Sequence, residues 1–131
     1  MQTIALRIPA GTDLRAALAA LPALHGVQAA FLLQGIGSLS SAAIRYAGRP
    51  DCDVLTGDLE ILSLGGSLSA DGPHLHMSVS DAAGRVTGGH VGAGCIVRTT
   101  AEVLVALLPD LRFTREDDPA TGFKELVVRP G

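Results

Sequence analysis

Three histidines stand where strand spacing would bring them together: His74 and His76, with one residue between them, and His90 further along. In an extended strand, residues i and i+2 share a face with Cα atoms about 6.5–7 Å apart, so both imidazoles of His74-Leu75-His76 can address one ion. The midpoint of positions 76 and 90 is 83, so a three-residue loop of Ala82, Ala83 and Gly84 sets His90 opposite His76 on that face. Gly84 suits the left-handed position of such a loop. A two-residue loop would shift the pairing by one and turn His90 away. Gly88, Gly89, Gly92 and Gly94 leave room around His90 for an ion, a ligand or a close backbone. A lone strand histidine is more often hydrogen-bonded or solvated than a ligand, and it is the convergence of three that argues for a metal. Three neutral nitrogen donors without cysteine favour Zn²⁺, with Ni²⁺, Fe²⁺ or Mn²⁺ as alternatives. Such a site keeps a fourth position open, where zinc lowers the pKa of water to about 7 and makes hydroxide available for hydrolysis or hydration.

Glu60 is the second chemical candidate, since a carboxylate among Leu59, Ile61, Leu62 and Leu64 is expected to be paired, metal-linked or protonated. An ion pair with Arg7, Arg45 or Arg115 is one outcome. General acid or base work beside the metal is the other. Asp81 reads as the residue opening the hairpin turn rather than a ligand, and His25 as a helix C-terminal residue. Cys52 and Cys95 lie 43 residues apart with no CxxC spacing, which excludes a redox motif or a cysteine zinc site; both are expected to be buried thiols in a reducing cytosol.

The elements that must position these residues are mostly strands. Ile4, Leu6 and Ile8 alternate with Thr3, Ala5 and Arg7, an opening strand ended by Pro9-Ala10-Gly11. Thr12 or Asp13 can cap a helix carrying Leu14, Leu18 and Leu21, stopped at His25-Gly26. Val27 to Leu33 is a short apolar strand, Gly35-Ile36-Gly37-Ser38 a tight turn, and Leu39 to Tyr46 a further strand. Val54 to Leu68 is a long or bent strand whose Gly65-Gly66 pair suits a bulge. His74 to Ser80 and Arg85 to Val97 form the hairpin. Thr99 with Glu102 is a capping-box pattern that predicts a second helix over Ala101 to Leu108, and Leu111 to Arg115 and Phe123 to Val128 close the chain as two strands. The sum is an α+β fold, a mainly antiparallel sheet with two helices, in one domain over residues 1–131.

Composition narrows the function classes. Lys+Arg 10 against Asp+Glu 13 gives a net charge of −3, which works against a grip on phosphate backbones. With 47% hydrophobic and 18% charged residues the chain is neither disordered nor obviously monomeric, and part of its apolar surface is expected to be covered by another subunit. The N-terminus lacks the basic and apolar regions of a secretory signal. No uninterrupted apolar stretch predicts a membrane span, and a cytoplasmic location is expected.

The stretches Gly35-Ile36-Gly37-Ser38-Leu39, Glu60-Ile61-Leu62-Ser63-Leu64, His74-Leu75-His76 with Val79-Ser80-Asp81, Gly88-Gly89-His90, Thr99-Thr100-Ala101-Glu102, and Arg115 through Thr121-Gly122 to Glu125-Leu126 resemble the plants and prokaryotes conserved domain. The resemblance spans nearly the whole chain in order. It implies a compact α+β fold, a homotrimer and, as in prokaryotic members, zinc on the histidines that fall here at 74, 76 and 90. Plant members join this domain to AT-hooks that bind A·T-rich minor grooves, and prokaryotic members carry a DNA-binding label by that association. This chain has no Arg-Gly-Arg-Pro core, and Gly48-Arg49-Pro50 lacks the first arginine and a basic neighbourhood, so direct DNA binding is not expected.

Two functions compete at this stage. One is a zinc-binding homotrimer acting on a small polar molecule, possible chemistries being hydrolysis or a lyase reaction, with Glu60 as a catalytic group and Arg45 and Arg115 binding substrate in clefts completed by the adjacent subunit. Its interfaces are expected around Val54 to Leu64. The other is a non-catalytic oligomerisation or regulatory module with a structural metal. A cupin-like enzyme shares the His-x-His strand, but the following Glu and the second glycine-proline-histidine motif are missing.

Overall fold

The computed structural model describes residues Met1–Gly131. Strand β1 (Gln2–Pro9) is followed by helices α1 (Leu14–Ala19) and α2 (Leu21–Leu24). Seven further strands follow: β2 (Ala30–Arg45), β3 (Asp53–Ser69), β4 (Gly72–Ser80), β5 (Val86–Val91), β6 (Ile96–Leu107), β7 (Leu111–Asp118) and β8 (Phe123–Pro130). The first six strands form one antiparallel sheet in the order β1-β6-β2-β3-β4-β5, and β7 with β8 form a separate hairpin. This is the expected α+β class. No helix is long and apolar enough to cross a membrane.

The sheet curls. Beyond its pairing with β4, strand β5 also meets the far end of β2 through Ile44 opposite Val91 and Arg45 opposite His90. Strands β2, β3, β4 and β5 thus close a ring, which β2 and β3 can span because both are long and β2 bends at the register shift between Leu39 and Ser41. Leucines of α1 and α2 cover the inner face. Leu14 and Leu18 are fully buried there beside Leu64, Leu68 and Leu75, and each such side chain contributes about 1.5–3 kcal/mol by leaving water.

Asp13, not Thr12, caps α1. One of its oxygens accepts the Ala16 N–H at 3.0 Å and the other accepts Gly94 N–H at 2.7 Å, so a single carboxylate ties the helix to the β5–β6 turn. The Asp13→Ala variant is expected to lose about 1–2 kcal/mol, read as a lowered denaturant midpoint.

Several expectations need correction. The stretch Gly35 to Ser38 is not a turn but the middle of β2: a side chain at Gly37 would stand 2.4 Å from the Thr100 carbonyl oxygen, so that glycine serves the close approach of β6. The predicted single helix after Asp13 is broken at Ala20, since Pro22 starts α2. The second helix, expected over Ala101 to Leu108, is instead strand, the C-terminal part of β6, which ends at Leu107. Ala101, Val103 and Val105 point inward while Glu102 and Leu104 point out, a period of two stabilised by β1 on one side and β2 on the other. The bulge expected at Gly65-Gly66 lies between Ile61 and Ser63 instead. Of the cysteines, Cys95 is buried and hydrogen-bonded to Ala43, and burial pushes its thiol pKa up, but Cys52 is exposed.

The β7–β8 hairpin carries its own clamp. Arg129 hydrogen-bonds Glu116 through both terminal nitrogens and holds that carboxyl down to about 2. Contacts from three places tie the hairpin to the rest of the fold. These are a bridge between Gln28 and Arg112, the edge-on pair Phe31–Phe113, and an Arg115 N–H donated to Asp71 at 2.9 Å.

Candidate metal centre

Strand β4 alternates strictly. Leu75, Met77 and Val79 are buried, which forces His74, His76 and Ser78 onto the opposite, outer face. On β5 the buried residue is Val91, so His90 also points outward. The turn joining them has the expected three-residue form. Gly84 adopts φ +78°, its N–H donates to the Asp81 carbonyl at 2.9 Å, and the Asp81 carboxylate accepts the Ala83 and Arg85 N–H groups at 2.9 Å each. Asp81 is therefore the turn residue, and His90 pairs directly with His76.

The result is a cluster of three imidazoles whose ligand atoms all lie within 4.8 Å of one another. Ring centroids are 4.9 Å apart for His74–His76, 4.6 Å for His76–His90 and 5.6 Å for His74–His90. Two nitrogens on a tetrahedral zinc stand about 3.3 Å apart, given Zn–N bonds near 2.05 Å, so modest ring rotations close the set on an ion. The donor set fits. Partial burial, then the charge of Arg115, lowers the pKa of His74; partial burial, then Arg45, lowers that of His90. Both shifts favour the neutral form, the one that can donate to a metal.

Room for the cluster comes from β3. His76 lies opposite Gly65, and a side chain at Gly66 would stand 1.9 Å from the His74 carbonyl oxygen. The glycine pair lets β3 and β4 approach under the histidines. Two clefts flank the site: one of about 680 Å³ beside His74 and His76, lined also by Phe31, Leu33, Ser63 and Met77, and one of about 300 Å³ beside His74 and His90.

The other anticipated residues divide. Arg45 is the rung opposite His90, and Arg115 acts electrostatically on His74 while one of its terminal nitrogens donates to the Lys124 carbonyl at 3.1 Å. Glu60 is not brought to the histidines within one chain. It is exposed, opposite Ser38 and Ser80, and Ser80 lies four residues along β4 from His76, about 13 Å at strand rise. It forms no ion pair with Arg7, Arg45 or Arg115. An exposed carboxylate requires none, and its apolar neighbours Leu59 and Ile61 simply face the other way. His25 caps α2, as expected. Sequence reasoning missed Arg15, which α1 places in the wall of the smaller cleft. No local pattern marks it, because the helix meets the histidines only through the tertiary fold.

The chain resembles proteins of known structure along its full length. A structure of a hypothetical protein from Salmonella enterica is 39% identical, with a TM-score of 0.94, covering 98% of this chain and 94% of that one. The metal-containing protein AF0104 from Archaeoglobus fulgidus is 29% identical, with a TM-score of 0.82 and coverages of 97% and 94%. A chain from Ralstonia eutropha JMP134, described as a supposed DNA-binding protein, is 26% identical, with a TM-score of 0.79 and coverages of 95% and 90%. Among curated proteins, the bifunctional protein GlmU of Synechococcus sp. (strain JA-2-3B'a(2-13)) is 46% identical over 125 residues. That match takes in 95% of this chain but only 20% of the relative, so the chain spans about one fifth of the length of the curated relatives it matches. The family model for the Plants and Prokaryotes Conserved (PCC) domain matches residues 1–109, from β1 through β6 with all three histidines inside. This chain belongs to the PCC domain family.

Proposed function

We propose that His74, His76 and His90 hold one divalent transition metal, zinc by donor preference, and that a homotrimer of this chain presents that metal to a small polar molecule. The observation that carries this reading is the mutual approach of three outward imidazoles within 4.8 Å, and partial burial of His74 and His90 lowers their pKa toward the donor form. The metal content named for the Archaeoglobus protein supports it. When bound by three imidazoles, zinc supplies Lewis acidity and lowers the pKa of coordinated water to about 7, the chemistry of hydrolases and lyases. A purely structural zinc asks for four protein ligands, whereas no cysteine or carboxylate joins this cluster and His76 is exposed. Arg45 orients charge beside His90, and Arg115 does so beside His74.

Assembly is supported by the outer sheet face. Ile36, Leu62 and Leu104 are 50%, 47% and 42% exposed on neighbouring strands, an apolar band that burial between subunits would remove from water. Elemental analysis of untagged protein, purified without added metal, is expected to give about one zinc per chain, and light scattering a mass of about 40 kDa, three times 13.4 kDa. Metal-free protein that takes up no zinc on dialysis would overturn the metal assignment, and a 13.4 kDa species at micromolar concentration the assembly.

A further inference from the structure

Between α1 and the joint of β2 with β5 lies the 300 Å³ cleft, whose lining includes Arg15, Arg45, Cys52, His74, His90 and Gly92. No carboxylate lines it. That is unexpected in a chain with more acids than bases, and it leaves two cations facing the same space. Three of the chain's ten cations are ion-paired, Arg98 with Asp58, Lys124 with Asp117 and Arg129 with Glu116, and of the unpaired ones Arg15 and Arg45 are the two that share this cleft. Arg15 and Arg45 are half-buried and have no carboxylate partner. Arg45 donates from one terminal nitrogen to the Arg49 carbonyl at 3.1 Å, which fixes the side chain and leaves the rest of its fork free. Arg15 comes from a different element, so the two guanidiniums reach the cleft from α1 and from β2.

We propose that this cleft binds an oxyanion group, a carboxylate or phosphate, of the molecule that reaches the histidine centre, with Arg15 and Arg45 as its charge partners. The chemistry is that of the guanidinium fork, whose parallel N–H donors match two oxygens of either group. Partial burial strengthens each such bond relative to bulk water. The placement of His74 and His90 in the same wall sets the atoms next to the bound oxyanion against the imidazoles, and that part rests on the metal reading above. The substrate class follows: a small anionic molecule whose oxyanion and reacting group are only a few bonds apart.

The test is amide-shift NMR titration with inorganic phosphate and, separately, acetate at constant ionic strength, on zinc-loaded and on chelator-treated protein. Saturable shifts are expected at Gly92, Val91 and the α1 amides. Arg15→Gln or Arg45→Gln is expected to weaken binding about tenfold or more, the size of a lost charge-assisted hydrogen bond, and the double variant to abolish it. Arg85→Gln, which removes the same charge from the exposed β4–β5 turn, is expected to leave binding unchanged. A tighter phosphate titration identifies a phosphorylated ligand and a tighter acetate titration a carboxylate, both in support. Equal binding by the double variant with its native spectrum retained, equal weakening by Arg85→Gln, or no saturable shift with either anion overturns the proposal. Zinc content measured on the same samples separates the two readings. Arginine-dependent binding to protein that takes up no zinc sustains the cleft while refuting the metal, and zinc retained without anion binding does the reverse.

Discussion

Replacing any one of His74, His76 or His90 with alanine is expected to weaken zinc binding more than about a hundredfold, leaving well under one ion per chain after dialysis. Loss of a partner that merely orients a ligand already costs about 10- to 100-fold in metal affinity, and here the ligand itself is removed from a set of three with no fourth protein donor to compensate. The fold is expected to survive. All three side chains lie on the outer face of the β4–β5 hairpin, while its core contacts come from Leu75, Met77, Val79 and Val91. Metal content by elemental analysis, beside a circular dichroism melt, reads both quantities. Stoichiometric zinc in the triple alanine variant would sink the assignment.

The Gly66→Ala variant is expected to be destabilised by about 3 kcal/mol or more and to lose metal as well. The added carbon would stand 1.9 Å from the His74 carbonyl oxygen and 2.9 Å from the Leu75 Cα, both backbone atoms that cannot swing aside, and φ +152° is unfavourable for alanine in any case. Relief requires β4 to retreat from β3, which moves His74 away from His90. Gly57→Ala provides the comparison. Gly57 also has a positive φ, +117°, but nothing lies within 4 Å of an added carbon, so only backbone strain is incurred and the histidines stay in place. Chemical denaturation and zinc content of the two variants check this. Equal stabilities would show that β3 and β4 are not held at the distance seen here.

The histidine site was legible because the register that aligns it is local. A loop of Ala82, Ala83 and Gly84 fixes the register of one hairpin, and that register alone places His90 opposite His76. What sequence reasoning misread were features whose meaning depends on distant strands. Thr99 and Glu102 have the spacing of a helix cap, yet Thr99 bonds Ser38 of β2 instead, at 2.7 Å between hydroxyls, and Glu102 pairs in register with Arg7 of β1. Gly35 and Gly37 look like turn residues, yet they clear space for Leu64 and for β6. Glu60 seemed buried by its neighbours in the chain, and only the alternation of β3 turns it outward. Arg45 and Arg115 were named from the sequence as ligand-binding groups. Their approach to the imidazoles comes from ring closure at the end of β2 and from the docking of β7, which no local pattern encodes.

Arg115 acts on His74 from an element outside the sheet that carries the histidines. The family match ends at residue 109, and β7 and β8 follow as a two-stranded appendage held to the rest of the fold by contacts that include one bridge, one aromatic pair and the Asp71 contact. Residues 111–130 are thus a graft point. Exchanging that hairpin for another of similar length would remove the Arg115 charge that acts on His74 while leaving the three imidazoles and the β4–β5 register that pairs them in place, so that the electrostatics around the cluster and its donor set can be engineered as separate variables.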